Sequence, residues 1–246
     1  MWNNYINRRG RGDWLINKGT YVRNIFSNIA FRYDMVNNVI SLGLINYWRR
    51  ALVSEADLRQ DDCVIDLCAG TGKVSRMIAR KVVAGKVYGV DFCPEMLLKA
   101  RKRCNPVLLK RMEFREGNIY NLNFSDNTFD CALVAFGLRN LSDITRAILE
   151  MKRVVKPGGK ILSLDLAHPR KAFFRKLYYL YFDKIMPVIA RFIYGDKEPY
   201  LYLSQSLKEF VTQKELKQIF IEAGLKQVEY RELNGGVTVI HKGINM

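Results

Sequence analysis

Residues 64–79, VIDLCAGTGKVSRMIA, hold the sharpest chemical signal in the chain. An apolar run ends in a tight Gly-containing loop and reopens as a helical pattern, so free backbone N–H groups face a ligand that approaches without Cβ interference. Three ligand classes compete for such a loop. A phosphate-cradling P-loop requires GxxxxGK[ST], but Gly72-Lys73 is followed by Val74, and Leu67 stands where the first glycine belongs. A dinucleotide fingerprint requires GxGxxG, and Ser75 occupies its third glycine position. The remaining class is S-adenosylmethionine, which has no phosphate. It needs close backbone contact and, at the end of the next strand, an acid whose two oxygens accept the ribose hydroxyls. Asp91 ends KVYGVD, 19 residues after Gly72, the place where nucleotide-binding α/β folds put that acid.

The elements that must position these groups follow from periodicity. Short β-branched runs alternate with helical patterns from residue 63 onward, which predicts an α/β fold with a mostly parallel sheet. Strands are expected at 63–68, 86–91, 112–118, 129–137 and 159–166, and helices at 72–83, 94–104, 142–155 and 213–223. The KPGG turn at 156–159 is expected to end the third of these helices. LKQVEYREL and GVTVIHKG, joined at Asn234-Gly235-Gly236, predict a terminal antiparallel hairpin. Residues 20–53 read as one or two preceding helices, and residues 170–210 as a helical insertion after the fifth strand.

Composition bounds the function. The chain has 246 residues, 49% of them hydrophobic, and a net charge of +16 from 40 basic and 24 acidic groups. That is enough apolar material for one sizeable core, so a disordered or disulfide-stapled protein is excluded. The 5 cysteines include no CxxC pair and only His168 and His241 accompany them, so no metal site is expected. No apolar run nears the roughly 20 residues of a spanning helix. The start lacks an apolar signal core, and a cytoplasmic location follows as the expectation. Basic residues cluster at 1–25, 98–116 and 170–191, the last interleaved with aromatics. An anionic membrane surface or nucleic acid would each suit such a cluster, as would an ordinary solvated lysine face.

Asp66, Gly70, Thr71 and Gly72, with Asp91 and Gly117-Asn118-Ile119 downstream, resemble the motifs of class I S-adenosylmethionine-dependent methyltransferases. Cys68-Ala69 replaces a further glycine common there. FSNIAFRYDMVNNVISLGLINYWRR (26–50), DNTFDCALVAFGLRNLSD (126–143), MKRVVKPGG (151–159) and GGVTVIHKG (235–243) are similar to the ubiquinone and menaquinone biosynthesis C-methyltransferase family, from about Val22 to Gly243. FGLRN (136–140) is the most specific piece.

The resemblance implies a class I, Rossmann-like fold: five parallel strands plus a C-terminal antiparallel hairpin, with helices on both faces. Residues 1–19 would be a basic N-terminal extension, and 20–246 a single methyltransferase domain in which 170–210 cover the substrate. It implies carbon methylation of a polyprenyl hydroquinone, demethylmenaquinol or a ubiquinol precursor. S-adenosylmethionine is then the co-substrate, bound by Tyr33, Asp66, Gly70, Thr71, Gly72, Asp91, Asn118, Ile119 and Ala135, with no metal. Ala135 stands where a serine is common, which leaves backbone contact alone.

Arg139 is expected to stabilise the ring phenolate and hold the water that takes its proton, since a guanidinium cannot serve as the base. Asn140 would orient the ring oxygen. The competing expectation for Arg139 is a salt bridge or helix-cap support. Tyr33 and Asp34 are placed to close over the cofactor, Asp34 being either a proton acceptor or a helix-surface carboxylate. His168, after the fifth strand, is a second candidate base, with an ordinary loop histidine as its alternative. His241 is expected to be structural.

The expected partners are the quinol, an anionic surface at the inner face of the membrane and, in a homodimer, a second copy. Nucleic acid is not expected. Methylation of RNA or another small molecule is the main rival reading, since the charge is high. The chain, however, lacks an NPPY-type tetrapeptide, and Cys93-Pro94 is in the wrong order for a Pro-Cys nucleophile. A non-enzymatic cofactor-binding or membrane-surface protein is the other rival.

Overall fold

A computed structural model describes residues 11–30, 32–170, 172–186, 188 and 198–246. Three helices precede the sheet: α1 (Arg11–Ile29), α2 (Tyr33–Ile40) and α3 (Ile45–Glu55). Then come β1 (Cys63–Leu67), α4 (Lys73–Ala79), β2 (Lys86–Asp91), α5 (Pro94–Lys102), α6 (Pro106–Leu109), β3 (Met112–Glu116) and β4 (Phe129–Ala135). A single 3-10 turn (Leu138–Asn140), α7 (Ile144–Val154) and β5 (Val155–Leu166) follow. The insertion contributes α8 (Ala172–Leu180), a π-helical stretch (Tyr181–Ile185) and α9 (Glu198–Glu209). The chain closes with α10 (Gln213–Glu222), β6 (Lys226–Leu233) and β7 (Thr238–Ile244).

The seven strands form one sheet in the order β3-β2-β1-β4-β5-β7-β6. β1 pairs in parallel with both β2 and β4, and β7 runs antiparallel to β5 and β6. Val64, Ile65, Asp66 and Leu67 are all buried, as expected of a central strand covered on both faces. The order reverses at β1, and the ends of β1, β2 and β4 open a crevice there. The predicted α/β plan with its terminal hairpin is therefore the observed one. At the hairpin, Asn234, Gly235 and Gly236 have φ of 49°, 71° and 92°, which only asparagine and glycine tolerate cheaply.

Three boundaries differ from expectation. α1 begins at Arg11 and runs through position 20, so no break separates residues 11–19 from the domain; residues 1–10 lie outside the described residues. The helical segment before β1 is three helices, not one or two. KPGG does not precede β5 but lies inside it: Phe129 pairs with Val155 and Cys131 with Lys160, so residues 156–159 bulge from the ladder. Gly158, at φ 81°, and Gly159 instead bond with Asn245 across the C-terminal end.

His241 is structural, as expected. It is fully buried on β7 and its Nε2–H donates to the Gln213 carbonyl at 2.8 Å. Burial holds its pKa down at about 4. The unfolded chain therefore binds a proton that the folded one refuses between roughly pH 6.5 and 4, and stability is lost as pH falls through that window. His241→Gln, which keeps a donor without the titration, should lose up to about 3 kcal/mol less than wild type over that range. Denaturant titrations at pH 7 and pH 4 measure the difference.

Candidate active site

The glycine loop is strapped to the end of β2. Ala69 N–H donates to the Val90 carbonyl at 3.0 Å and Gly70 N–H to Asp91 Oδ2 at 2.8 Å. Cys93 N–H donates to the other Asp91 oxygen at 2.9 Å. The carboxylate is thus fixed by backbone donors on both oxygens and keeps acceptor capacity in reserve. Burial lifts the Asp91 pKa to about 6, against the pull of those backbone donors. Cys68 adopts φ 53°, so the position where the class I motif leads one to expect glycine holds a left-handed cysteine. Gly72, at φ 70°, donates to the Ala69 carbonyl, and a Cβ there would lie 2.8 Å from the Phe114 ring. It shapes the loop and is not among the residues that line the cavities described below.

Asp91 faces a cleft of about 230 Å³ whose wall includes Tyr33, Gly70, Asn118, Ile119, Ala135 and Asn140. Asn118 Oδ1 accepts from Tyr120 N–H at 3.0 Å, which aligns the loop after β3. A small recess beside the cleft takes in Arg49, Asp66, Thr71, Lys73 and Ala135. Asp66 is buried and accepts from Ser75 Oγ at 2.5 Å; burial pushes its pKa to about 7.

A second cavity, of about 420 Å³ and almost wholly apolar, lies on the other side of Tyr33 and Phe136. Ile45, Trp48, Leu166, Phe182 and Leu203 line it, so α3, β5 and both described parts of the insertion contribute. Tyr33 and Phe136 belong to the walls of both cavities. Phe136, at φ 59°, turns the chain sharply out of β4.

Arg139 lines the apolar cavity, and its guanidinium is held from behind. Its Nη1 donates to Asp165 Oδ1 at 2.8 Å and to the Phe136 carbonyl at 2.9 Å, while its Nε–H has no partner among the described residues. Burial opposes its charge, but Asp165 outweighs that and the pKa is raised. The salt bridge, the competing expectation for Arg139, is therefore present, and the residue also lines a cavity. Asn140 faces the first cleft; its amide donates to the Phe136 carbonyl and accepts from Tyr202 O–H at 3.1 Å.

Two expected bases are corrected. Asp34 is buried, accepts from Thr71 Oγ1 at 2.9 Å and pairs with Arg103. It lines none of these cavities and ties α2 to the glycine loop. His168 has both ring nitrogens engaged: Nε2–H donates to the Phe210 carbonyl at 3.0 Å and Nδ1 accepts from Tyr179 O–H at 2.7 Å. It anchors the insertion and lines neither large cavity.

Two residues escaped the sequence reading. Asp165 is 1% exposed, and an acid inside the apolar run of β5 was the signal. Arg49 is 6% exposed, its Nη1 unpartnered among the described residues, and burial lowers its pKa. Its signal was a cation between Trp48 and Leu52 on the apolar face of α3.

The fold and this site define a class I S-adenosylmethionine-dependent methyltransferase. A solved SAM-dependent methyltransferase from Aquifex aeolicus superimposes with a TM-score of 0.59 at 21% identity, over 80% of this chain and 89% of that one. Residues 15–245 match the ubiE/COQ5 methyltransferase family, and the chain belongs to it. A demethylmenaquinone methyltransferase of Desulfitobacterium hafniense is 40% identical over 92% of this chain and 90% of its own length. A ubiquinone/menaquinone biosynthesis C-methyltransferase of Marinomonas sp. is 34% identical over 90% and 89%.

The sequence motif places the ribose hydroxyls on Asp91, so Asp91→Ala should lower S-adenosylmethionine affinity by about 2 kcal/mol or more. In the unsubstituted protein affinity should also weaken as pH falls through about 6, where Asp91 takes up a proton, and Asp91→Asn should flatten that dependence. Calorimetry measures both.

Proposed function

We propose that this chain methylates a ring carbon of a polyprenyl hydroquinone, converting demethylmenaquinol to menaquinol or acting on the corresponding ubiquinol precursor. The observation that carries this reading is the apolar cavity, with Arg139 in its wall, set against the cofactor cleft across Tyr33 and Phe136. A greasy, flat acceptor bearing ring oxygens suits that wall; a nucleotide, with its phosphates and polar edges, does not.

The cleft suits S-adenosylmethionine. Asp91 keeps acceptor capacity for the ribose, and Asn118 and Ile119 in the same wall suit the adenine end. The unpartnered Nη1 of Arg49, in the recess beside Asp66, fits the carboxylate of its amino-acid end. Bound there, the cofactor supplies an electrophilic sulfonium methyl.

The protein's share is positioning and charge. Loss of a proton from a neighbouring hydroxyl would make the ring carbon electron-rich enough to take the methyl as the sulfur keeps the electron pair of the broken S–C bond, and the ring C–H proton would then pass to water as the ring regains aromaticity. Arg139 stabilises the phenolate through its unpartnered Nε–H while Asp165 holds the guanidinium fixed. The hydroxyl proton passes to a water that Arg139 holds, because Asp34 and His168 are both occupied. Asn140, clamped by Tyr202 and Phe136, keeps one amide hydrogen for the ring oxygen. Such an acceptor resides in the bilayer, so the partner is an anionic membrane surface, met by a chain in which no described helix is long and apolar enough to cross a membrane.

Arg139→Lys keeps the charge but loses the planar fork. Turnover should fall by roughly one to three orders of magnitude, with cofactor affinity unchanged. Transfer of labelled methyl into extracted quinones but not into total RNA is the result expected of the wild type; label in RNA would exclude the reading.

A further inference from the structure

The mouth of the apolar cavity carries an unusual helix end. Three bonds close α2: Ser41 N–H to Asn37, Leu42 N–H to Val39 and Gly43 N–H to Asn38. This is the Schellman pattern, whose first residue past the cap is left-handed and usually glycine. Here that residue is Leu42, at φ 50° and 78% exposed, with Gly43 next to it at φ 81°. A branched apolar side chain is held in a strained conformation with most of its surface in water. Strain of this kind marks a residue kept for something other than stability.

Leu42 is not isolated. Val39 and Met35, one and two turns earlier on the same side of α2, are also exposed. Across the mouth, Leu177, Leu180, Ile185 and Val188 recur at helical spacing along the insertion and are exposed as well. Tyr181 O–H donates to the Ile40 carbonyl at 2.8 Å and so joins the two sides. Arg175, Lys176 and Lys184 are exposed on the insertion side. The side chains of Phe173 and Phe174, in the same segment, lie outside the described residues. Scattered exposed leucines are ordinary, but an apolar rim around a cavity mouth, flanked by cations, matches an interfacial membrane surface.

We propose that residues 41–44 and the exposed stripe of the insertion are two lips of a bilayer-docking surface, with Leu42 as a wedge that enters the lipid and an anionic membrane as the partner. This rests on the reading of the apolar cavity as the acceptor site. Docked by both lips, the mouth opens onto hydrocarbon, and a prenyl tail passes from bilayer to cavity without crossing water. The cations contribute the salt-dependent part of binding.

Leu42→Gly separates docking from folding, because glycine relieves the left-handed backbone while removing the wedge. With phosphatidylglycerol/phosphatidylcholine vesicles, partition should fall by about tenfold or more, with an unchanged or higher Tm. Leu180→Ser with Lys184→Glu, away from the cavity walls, should also weaken partition and its salt dependence. That variant should lose turnover on a long-tailed quinol in vesicles and keep it on a short-tailed one in solution.

Equal vesicle binding by wild type and Leu42→Gly would overturn the proposal. So would an absence of wild-type binding, a dimer through this face that forms in place of vesicle binding, or equal losses on both acceptors. Failure of the wild type to methylate even the short-tailed quinol would overturn the functional reading instead, and the partition measurements would still report on the surface.

Discussion

The site is organised by one buried ion pair. Asp165 near the end of β5 and Arg139 just beyond β4 meet at 2.8 Å with side chains 1% and 9% exposed. Two charges removed from water are stable only with close geometry and further hydrogen bonds, and the fold supplies both. Leu166 N–H and Arg139 N–H also donate to the Asp165 carboxylate. The β4–β5 register, with Ala135 opposite Leu164, brings the two chain ends together, and Phe136 N–H closes the corner on the Leu164 carbonyl at 2.7 Å. The sharp turn at Phe136 follows from that arrangement, and the Phe136 ring divides the crevice in two.

That division separates two chemical requirements. The cofactor side keeps paired oxygens, backbone donors and polar loop ends, all tied to β1, β2 and the loop after β3. The apolar side, proposed above for the acceptor, is walled by aromatics and aliphatics from the N-terminal helices and the insertion, parts of the chain that do not belong to the alternating core. A guanidinium paired with Asp165 can sit in that apolar wall, and the proposed phenolate role asks only for the donor that this pairing leaves over. An unpaired arginine would demand water in the same place.

Much of this was legible in the residues. Strand-period runs and their glycine punctuation marked the sheet, and the spacing from Gly72 to Asp91 marked the cofactor cleft, because both depend on local geometry. What escaped depends on tertiary pairing. Nothing near Asp165 in sequence announces Arg139, and Arg49 is conspicuous only once α3 is known to bury that face. The same blindness promoted His168 and Asp34: each has the right chemistry and a plausible address, but partners 11, 42, 37 and 69 residues away consume their valences. KPGG looked like a helix stop because proline and glycine signal a turn; its place as a bulge in β5 was set by Asn245 from the far end of the chain. The early start of α1 lacked a local signal, since its first turns are rich in glycine and charge.

The central claim is that two substrates meet across Tyr33 and Phe136, with the acceptor's ring oxygen on the Arg139 side. A crystal structure with S-adenosylhomocysteine and a short-tailed naphthoquinol tests it most directly. The account predicts the nucleoside on Asp91, the ring in the apolar cavity facing the sulfur, and a ring oxygen within hydrogen-bonding distance of Arg139 or Asn140. A quinol bound elsewhere, or an Arg139 still sealed behind Asp165 with no contact to the ring, would contradict it.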